Sequence, residues 1–366
     1  MKKWLWMIAA ALFAHAAAAQ QPVKIGVVAS LSGGFAAAAK DTMDGFQAWE
    51  KAHGLPGRKI ALEVLDDETN PVSASNAFRR IASDPDVQLI YLFIPSNSVM
   101  AVKSLASEFK VPIIAGGAAD AIGIPADPWL FKVAPAVRDF MTVFSQYAQK
   151  KGYKRIASLN STDAFGQAEI TNLKELAPKY GLQIVAAETF GVEDTSFNAQ
   201  LTRIRSAKPD IIYNGASGRA AILTWRALQQ MGFKQPLVMT QAAVSKAFFD
   251  AIGSPSAADG LMTPMQSGVF GGAAAADAKL YAEMAKAMGR TPVYFNTFGF
   301  DVGLITEAAF KGSNGTRQGL RDALEAMRDL PAVNGPVTYT TKDHTGQNFR
   351  SIVMGKLHGG KPVPAD

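Results

Sequence analysis

The chain has 366 residues, 48% of them apolar and 19% charged, so it is long enough for two domains with buried cores and too apolar for a disordered chain. Its 37 Lys plus Arg against 31 Asp plus Glu give a net charge of only +6, with no basic run dense enough for a nucleic-acid surface. Cysteine is absent and the four histidines are scattered, which excludes disulfides, thiol nucleophiles and His/Cys metal sites; no cofactor is expected.

Residues 1–19 read as a signal peptide. Lys2 and Lys3 precede an apolar run, Trp4 to Ala14, and Ala16 to Ala19 offer a small-residue cleavage site before Gln20. The run is about half of the ~20 residues needed to span a bilayer, so a removed export signal and a periplasmic protein are expected. Losing Lys2 and Lys3 lowers the charge from +6 to +4.

Strand-like and helix-like segments then alternate. Val23–Ala29 is a buried-strand run, and Met43, Phe46, Trp49 and Ala52 mark one helix face stopped by Gly54. Ile60 to Val64 alternates as a strand. Asn70-Pro71 opens a helix carrying Ala74, Ala77, Phe78 and Ile81. Val87–Ile94, helix Val99–Phe109 and Val111–Ala115 follow. Near residue 150 the rhythm restarts, with strands Tyr153–Leu159, Leu182–Ala187, Asp210–Tyr213 and Pro236–Thr240 and helices over 166–180, 196–207 and 218–232. Helices Ala273–Met288, Phe298–Lys311 and 316–329 precede strands Val337–Thr341 and Phe349–Leu357. Such alternation predicts an α/β protein of parallel sheets covered by helices on both faces. A weak repeat supports two related halves: Arg80-Ile81-x-Ser83 leads into Leu89-Ile90-Tyr91, and Arg203-Ile204-x-Ser206 leads into Ile211-Ile212-Tyr213. No flexible linker divides the chain, which suits repeated crossing between lobes.

Catalytic motifs are missing: there is no P-loop, dinucleotide fingerprint, HExxH or GxSxG. Asp66-Asp67 lies at a strand end, where neighbours face opposite ways, so loop-capping carboxylates are expected and not an acid/base dyad. A hydrolase built on Ser217 and His344 is the best enzymatic alternative. The loops after the strands carry more information, because ligands of open parallel sheets bind at the strands' carboxyl ends. Pro95-Ser96-Asn97-Ser98 and Gly116-Gly117-Ala118-Ala119-Asp120 together offer hydroxyl and N–H donors for one carboxylate, Ser96 and Ser98 serving equally well as helix caps. In the second half Thr162 to Gly166, Ala216-Ser217 and Gln241 occupy the corresponding places, and Phe165 is expected exposed in a polar loop, as a stacking surface or as core.

Several short motifs stand in a characteristic order: Ile25-Gly26-Val27-Val28 with Leu31-Ser32-Gly33, Asp44-Gly45, Leu65-Asp66-Asp67-Glu68 with Pro71, Ala164-Phe165-Gly166, Phe298 to Asp301, and Val333-Asn334-Gly335-Pro336. Over about residues 23–360 the chain thereby resembles the periplasmic solute-binding proteins of branched-chain amino acid ABC importers, type I periplasmic binding proteins. The resemblance implies two doubly wound parallel-sheet lobes joined by a three-crossover hinge. The expected division is residues 20–140 with 268–345 for lobe 1 and 141–267 with 346–366 for lobe 2. It also implies a monomer that delivers its ligand to an inner-membrane ABC permease and ATPase, or signals to a membrane receptor.

Carried over position by position, the family's carboxylate-binding serine falls on Ser96 and its backbone neighbour on Gly117. Three positions depart. A threonine becomes Ala119, the glutamate that meets the ligand's ammonium becomes Gln241, and a pocket tyrosine becomes Ala38. The candidate ligand-binding set is Ser96, Asn97, Gly117, Ala118, Ala119, Phe165, Ser217, Gln241, Phe35 and Tyr294. An ammonium buried without a counter-charge costs several kcal/mol, so the loss of the glutamate favours a small carboxylate lacking one, an aromatic or keto acid. The alternative is a branched-chain or other hydrophobic amino acid, or an amide, with Asp120 or Asp163 as the ammonium's partner. Should Ser96 not hold the carboxylate, the Gly117 N–H and Arg219 come next.

Overall fold

The structure, a computed structural model, describes residues 22–241, 244–266 and 275–365. The export segment read over 1–19 and the first residues of the helix expected from Ala273 lie outside the described residues. Among the described residues no helix is long and apolar enough to cross a membrane.

The first half runs β1 (Val23–Ala29), α1 (Ala36–Ala52), β2 (Ile60–Asp66), α2 (Pro71–Ala82), β3 (Val87–Phe93), α3 (Ser96–Phe109), β4 (Ile113–Ala115), α4 (Asp120–Gly123) and β5 (Leu130–Lys132). Its five strands form a parallel sheet in the order β2-β1-β3-β4-β5. Strand alternation divides β1 between two cores: Ile25 and Val27 pack with Phe46 and Trp49 of α1, and Val28 packs with Phe78 and Ile81 of α2. Asn70 starts α2 as the sequence indicates, its Oδ1 accepting from the Val72 and Ser73 N–H groups at 2.8 and 3.2 Å, with Pro71 as the first helical residue.

The second half runs α5 (Val137–Lys150), β6 (Arg155–Ser161), α6 (Ala164–Leu176), β7 (Gln183–Phe190), α7 (Asn198–Ser206), β8 (Ile211–Gly215), α8 (Gly218–Gln230), β9 (Leu237–Met239), α9 (Lys246–Ala251) and β10 (Met262–Gln266). Then α10 (Ala275–Met288), α11 (Tyr294–Lys311), α12 (Arg317–Glu325) and the hairpin β11–β12 (Thr338–Thr340, Asp343–Gly346) return to the first sheet. Finally β13 (Ile352–His358) and β14 (Lys361–Pro364) close the second sheet, whose order is β14-β13-β10-β9-β8-β6-β7. The chain thus crosses between the sheets after β5, after β10 and after β12. The first crossing falls at Val133–Ala136, because α5 already packs on α6 and β13.

Several details differ from expectation. The strand expected at 337–341 is β11, Thr338–Thr340, paired with β12, and the strand expected at 349–357 starts later, because Phe349–Ser351 is a short 3-10 turn before β13 joins β10 antiparallel. Expected helix 99–109 begins three residues earlier, at Ser96. Elements β5, α4, α5, α9, β10, β12 and β14 have no counterpart in the expectations. A strand of three residues carries too little pattern to register, whereas α5 buries Phe140, Met141, Phe144 and Ala148 at helical spacing and was readable.

One helix pair sets the back wall of the cleft. From Tyr294 to Thr306, α11 is buried on nearly every side, and it crosses α1 where both helices lack side chains. A Cβ on Gly45 would stand 1.9 Å from the Asn296 carbonyl oxygen, and one on Gly299 would stand 1.8 Å from that of Thr42. Asp301 of α11 fastens the last crossing: its carboxylate accepts from the Val333 N–H at 2.6 Å, the Asn334 N–H at 3.1 Å and the Gln347 amide at 3.1 Å. That contact explains why the Asp301 and Val333-Asn334 motifs occur together.

Candidate ligand-binding site

At the carboxyl ends of both sheets lies a cavity enclosing about 700 Å³ of non-atom space, its open mouth included. Phe93 to Ser96, Gly116 to Ala118, Val133 and Ala134 line it from the first half, and Asp163, Phe165, Ser217 and Gln241 from the second. Phe35 and Thr42 of the α1 region and Tyr294, Phe295, Phe298 and Val302 of α11 complete the wall. The halves touch beside the cavity. The Arg219 N–H donates to the Gly34 carbonyl at 3.2 Å, and Asp120 accepts from the Asn172 amide at 2.5 Å and from the Arg138 N–H at 3.0 Å.

The polar end is built around Ser96, which is 3% exposed. Its side chain does not cap α3. Instead its Oγ accepts from the Ala118 N–H at 3.1 Å and the Ala119 N–H at 3.2 Å, which occupies both lone pairs and leaves the hydroxyl hydrogen without an acceptor among the described residues. Gly117, at φ +78°, takes a left-handed conformation that lets the loop fold onto Ser96; a Cβ there would lie 3.2 Å from the serine Oγ. Ser217 begins α8 without a side-chain cap bond, so its hydroxyl also stays available to the cavity.

The remainder is mainly aromatic. Tyr294 meets Phe298 edge to face at 4.8 Å between centroids, and Phe35 meets Phe295 at 5.6 Å. Phe165 is not exposed in a loop as expected. Asp163 caps α6 through its Oδ1, which accepts from the Gly166 N–H at 2.9 Å, so Phe165 falls in the first helical turn and its buried ring joins the cavity wall. Gln241 is 3% exposed, and its Oε1 is buried with no hydrogen-bond partner among the described residues. The Gln241 and Gln266 amides face the Tyr294 hydroxyl, whose pKa burial raises.

Of the candidate set, Ser96, Gly117, Ala118, Phe165, Ser217, Gln241, Phe35 and Tyr294 line the cavity, whereas Asn97 and Ala119 do not. Asn97 follows Ser96 on a helix and is turned away from it by about 100°. Ala119 contributes its N–H to Ser96 from behind. Ala38 is buried and lies outside the lining. Asp120 is occupied between the halves and also lies outside the lining, as does the exposed Arg219. His344 is buried, its Nδ1 2.9 Å from the Leu130 carbonyl and its ring stacked on Phe131, so it does not pair with Ser217. Asp66 and Asp67 cap the turn after β1: Asp66 accepts from the Leu31 N–H at 2.8 Å and Asp67 from the Ser30 hydroxyl at 2.6 Å.

Two buried charged groups escaped the sequence reading. Lys132, at the end of β5, is fully buried and donates to the Ala118 carbonyl at 3.1 Å; burial pulls its pKa down to about 8. Glu169 of α6 lies behind β8, accepting from the Tyr213 hydroxyl at 2.6 Å and the Asn160 amide at 3.1 Å, and burial pushes it up to about 8. Gly215 leaves room for it, since a Cβ there would be 2.0 Å from its carboxylate.

A cleft lined from two hinged sheets, with donors at the strand ends, is the architecture that the motif order implies. The periplasmic binding protein family matches the chain over residues 22–360. The chain belongs to this family. Members are non-enzymatic transport components, and this periplasmic binding protein has the fold of type I members. The Leu/Ile/Val-binding protein BraC3 of Rhizobium johnstonii is 25% identical, the match covering 97% of each chain. An extracellular ligand-binding receptor from Rhodopseudomonas palustris HaA2 superposes with a TM-score of 0.85 at 26% identity, covering 94% of this chain and 100% of that one. An ABC transporter solute-binding protein from R. palustris, solved in complex with benzoate, shares the fold with a TM-score of 0.82 at 23% identity, over 94% and 95% of the two chains.

Proposed function

We propose that this periplasmic binding protein is exported through residues 1–19, captures a small monocarboxylate, aromatic or 2-oxo, and hands it to an ABC permease and its ATPase. The carrying observation is the Ser96 hydroxyl. With both lone pairs engaged by backbone N–H groups, its hydrogen can only be donated, and it lines a cavity where a ligand carboxylate is the natural acceptor. The Gly117 N–H of the same loop, with no acceptor among the described residues, supplies a second donor. At the other end the aromatic wall accepts an apolar body, and the uncharged Gln241 offers an ammonium no counter-charge. Ligand bound between the lobes favours the closed arrangement, which is the form the permease would receive.

One observation favours a second reading. Asp163 lines the cavity, and its remaining oxygen would make it the ammonium's partner if the ligand were a hydrophobic amino acid. Isothermal titration with benzoate, 4-hydroxybenzoate, 4-methyl-2-oxopentanoate and leucine separates the two. Micromolar binding of at least one acid with no leucine heat is expected; leucine binding with silence toward the acids would overturn the assignment.

Ser96→Ala should then weaken the bound acid by about 1.5–3 kcal/mol, roughly 10- to 150-fold in Kd, the range for a hydrogen bond to a charged group. An unchanged Kd would place the carboxylate elsewhere in the cleft.

A further inference from the structure

We propose that Lys132 is the charge that makes this loop select an anion: its ammonium polarises the Ala118–Ala119 peptide and, through it, the Ser96 hydroxyl that meets the ligand. The inference rests on the carboxylate reading above and adds a positioning residue that never touches the ligand. The path is continuous. Lys132 Nζ donates to the Ala118 carbonyl at 3.1 Å; the N–H of that same peptide, on Ala119, donates to Ser96 Oγ at 3.2 Å; the Ser96 hydrogen is left for the ligand. A cation on the carbonyl draws electron density from the peptide, makes its N–H a stronger donor, and so makes the hydroxyl beyond it a stronger donor in turn.

The electrostatics of the free protein support this role. Lys132 has 0% exposure, and the Ala118 carbonyl is its one hydrogen-bond partner among the described residues. Three carboxylates face it, each engaged elsewhere. Asp120 accepts from Arg138 and Asn172, Asp139 from the Ala136 N–H at 3.1 Å, and Asp343 from the Thr345 N–H at 2.7 Å. Lys103 opposes them, and His344 and Tyr339 of the packed hairpin complete the titratable surroundings. A buried ammonium held by a single carbonyl lacks full compensation, and an anion seated one peptide away would supply it. Lys132 therefore loses its proton more easily in the free protein than in the complex. Anion affinity is full below pH 8 and falls as pH rises past it.

The test is isothermal titration of the same carboxylates, benzoate first, into wild type, Lys132→Met and Lys132→Arg between pH 6.5 and 9.5. Wild-type Kd should rise about tenfold from pH 7 to pH 9.5, a shift of one pKa unit on binding. Lys132→Met should bind about tenfold more weakly at pH 7 with a flat profile, and Lys132→Arg should match wild type at pH 7 and stay flat. The flat arginine profile separates this effect from Glu169 and Asp301, which burial pushes up to about 8 and about 7. Removing a buried charge leaves the carboxylates facing it less compensated, so thermal melts verify folding of both variants, and the charge-retaining Lys132→Arg carries the test should Lys132→Met not fold. Wild-type binding of an acid together with an unchanged Kd and profile in Lys132→Met would overturn the role of Lys132 and leave the carboxylate reading standing. Failure of wild type to bind any of the acids would overturn both.

Discussion

Gln241→Glu is expected to turn the cleft from acids toward amino acids. Gln241 is buried, its Oε1 without a hydrogen-bond partner among the described residues, and it lines the cavity from the half opposite the Ser96 loop. A carboxylate there would face the ligand's own carboxylate. At a separation of about 7 Å and an effective dielectric of about 20, the repulsion is roughly 2.4 kcal/mol, or about 50-fold in Kd. The same charge would pair with an ammonium, so leucine should gain affinity while benzoate loses it. The loss should grow with pH, because burial raises the pKa of the introduced carboxyl and protonation at low pH removes the repulsion. Titration of both ligands at pH 6 and pH 8.5 reads this out. If the variant keeps the wild-type order of preference at both pH values, Gln241 does not face the ligand's amino end.

Which parts of this were legible follows from where the information lies. The two halves were visible in the repeat around Ser83 and Ser206, and the structure shows why the serine recurs. Each sits at or in the last turn of its helix and donates to the carbonyl four residues earlier, at 2.7 Å to Arg79 and 3.0 Å to Thr202, just before the strand beside the first of its sheet. Asp66-Asp67 and Asp301 with Val333-Asn334 were legible as motifs because side chains bonding to loop backbone need one residue type at one place. Of the aromatic wall Phe35, Phe165 and Tyr294 were legible, and the rest was not. Phe295, Phe298 and Val302 follow helical spacing like any core residue, and only the crossing at Gly45 and Gly299 turns them toward the cleft. Lys132 was hidden for a related reason: one lysine at the end of a three-residue strand reads as a solvated edge, and its burial depends on elements distant in sequence.

Gly218→Ala should weaken ligand binding at least tenfold while leaving the separate lobes intact. Gly218 opens α8 at φ +54°, where a side chain costs about 1–2 kcal/mol. It also lies at the contact between halves. An added Cβ would stand 2.5 Å from the Gly34 carbonyl oxygen, and the adjacent Arg219 N–H donates to that oxygen at 3.2 Å. The oxygen is backbone and cannot swing aside, so the halves would have to separate and lose the hydrogen bond. Such a clash exists only when the lobes meet and therefore penalises the closed form alone. Affinity scales with the population of the binding-competent state, so even a modest penalty on closure appears directly in Kd. Small-angle scattering should show ligand compacting the wild type and compacting Gly218→Ala less, with Kd raised to match. Equal compaction and equal Kd in the two proteins would mean that the contact at Gly34 is not what holds the cleft shut.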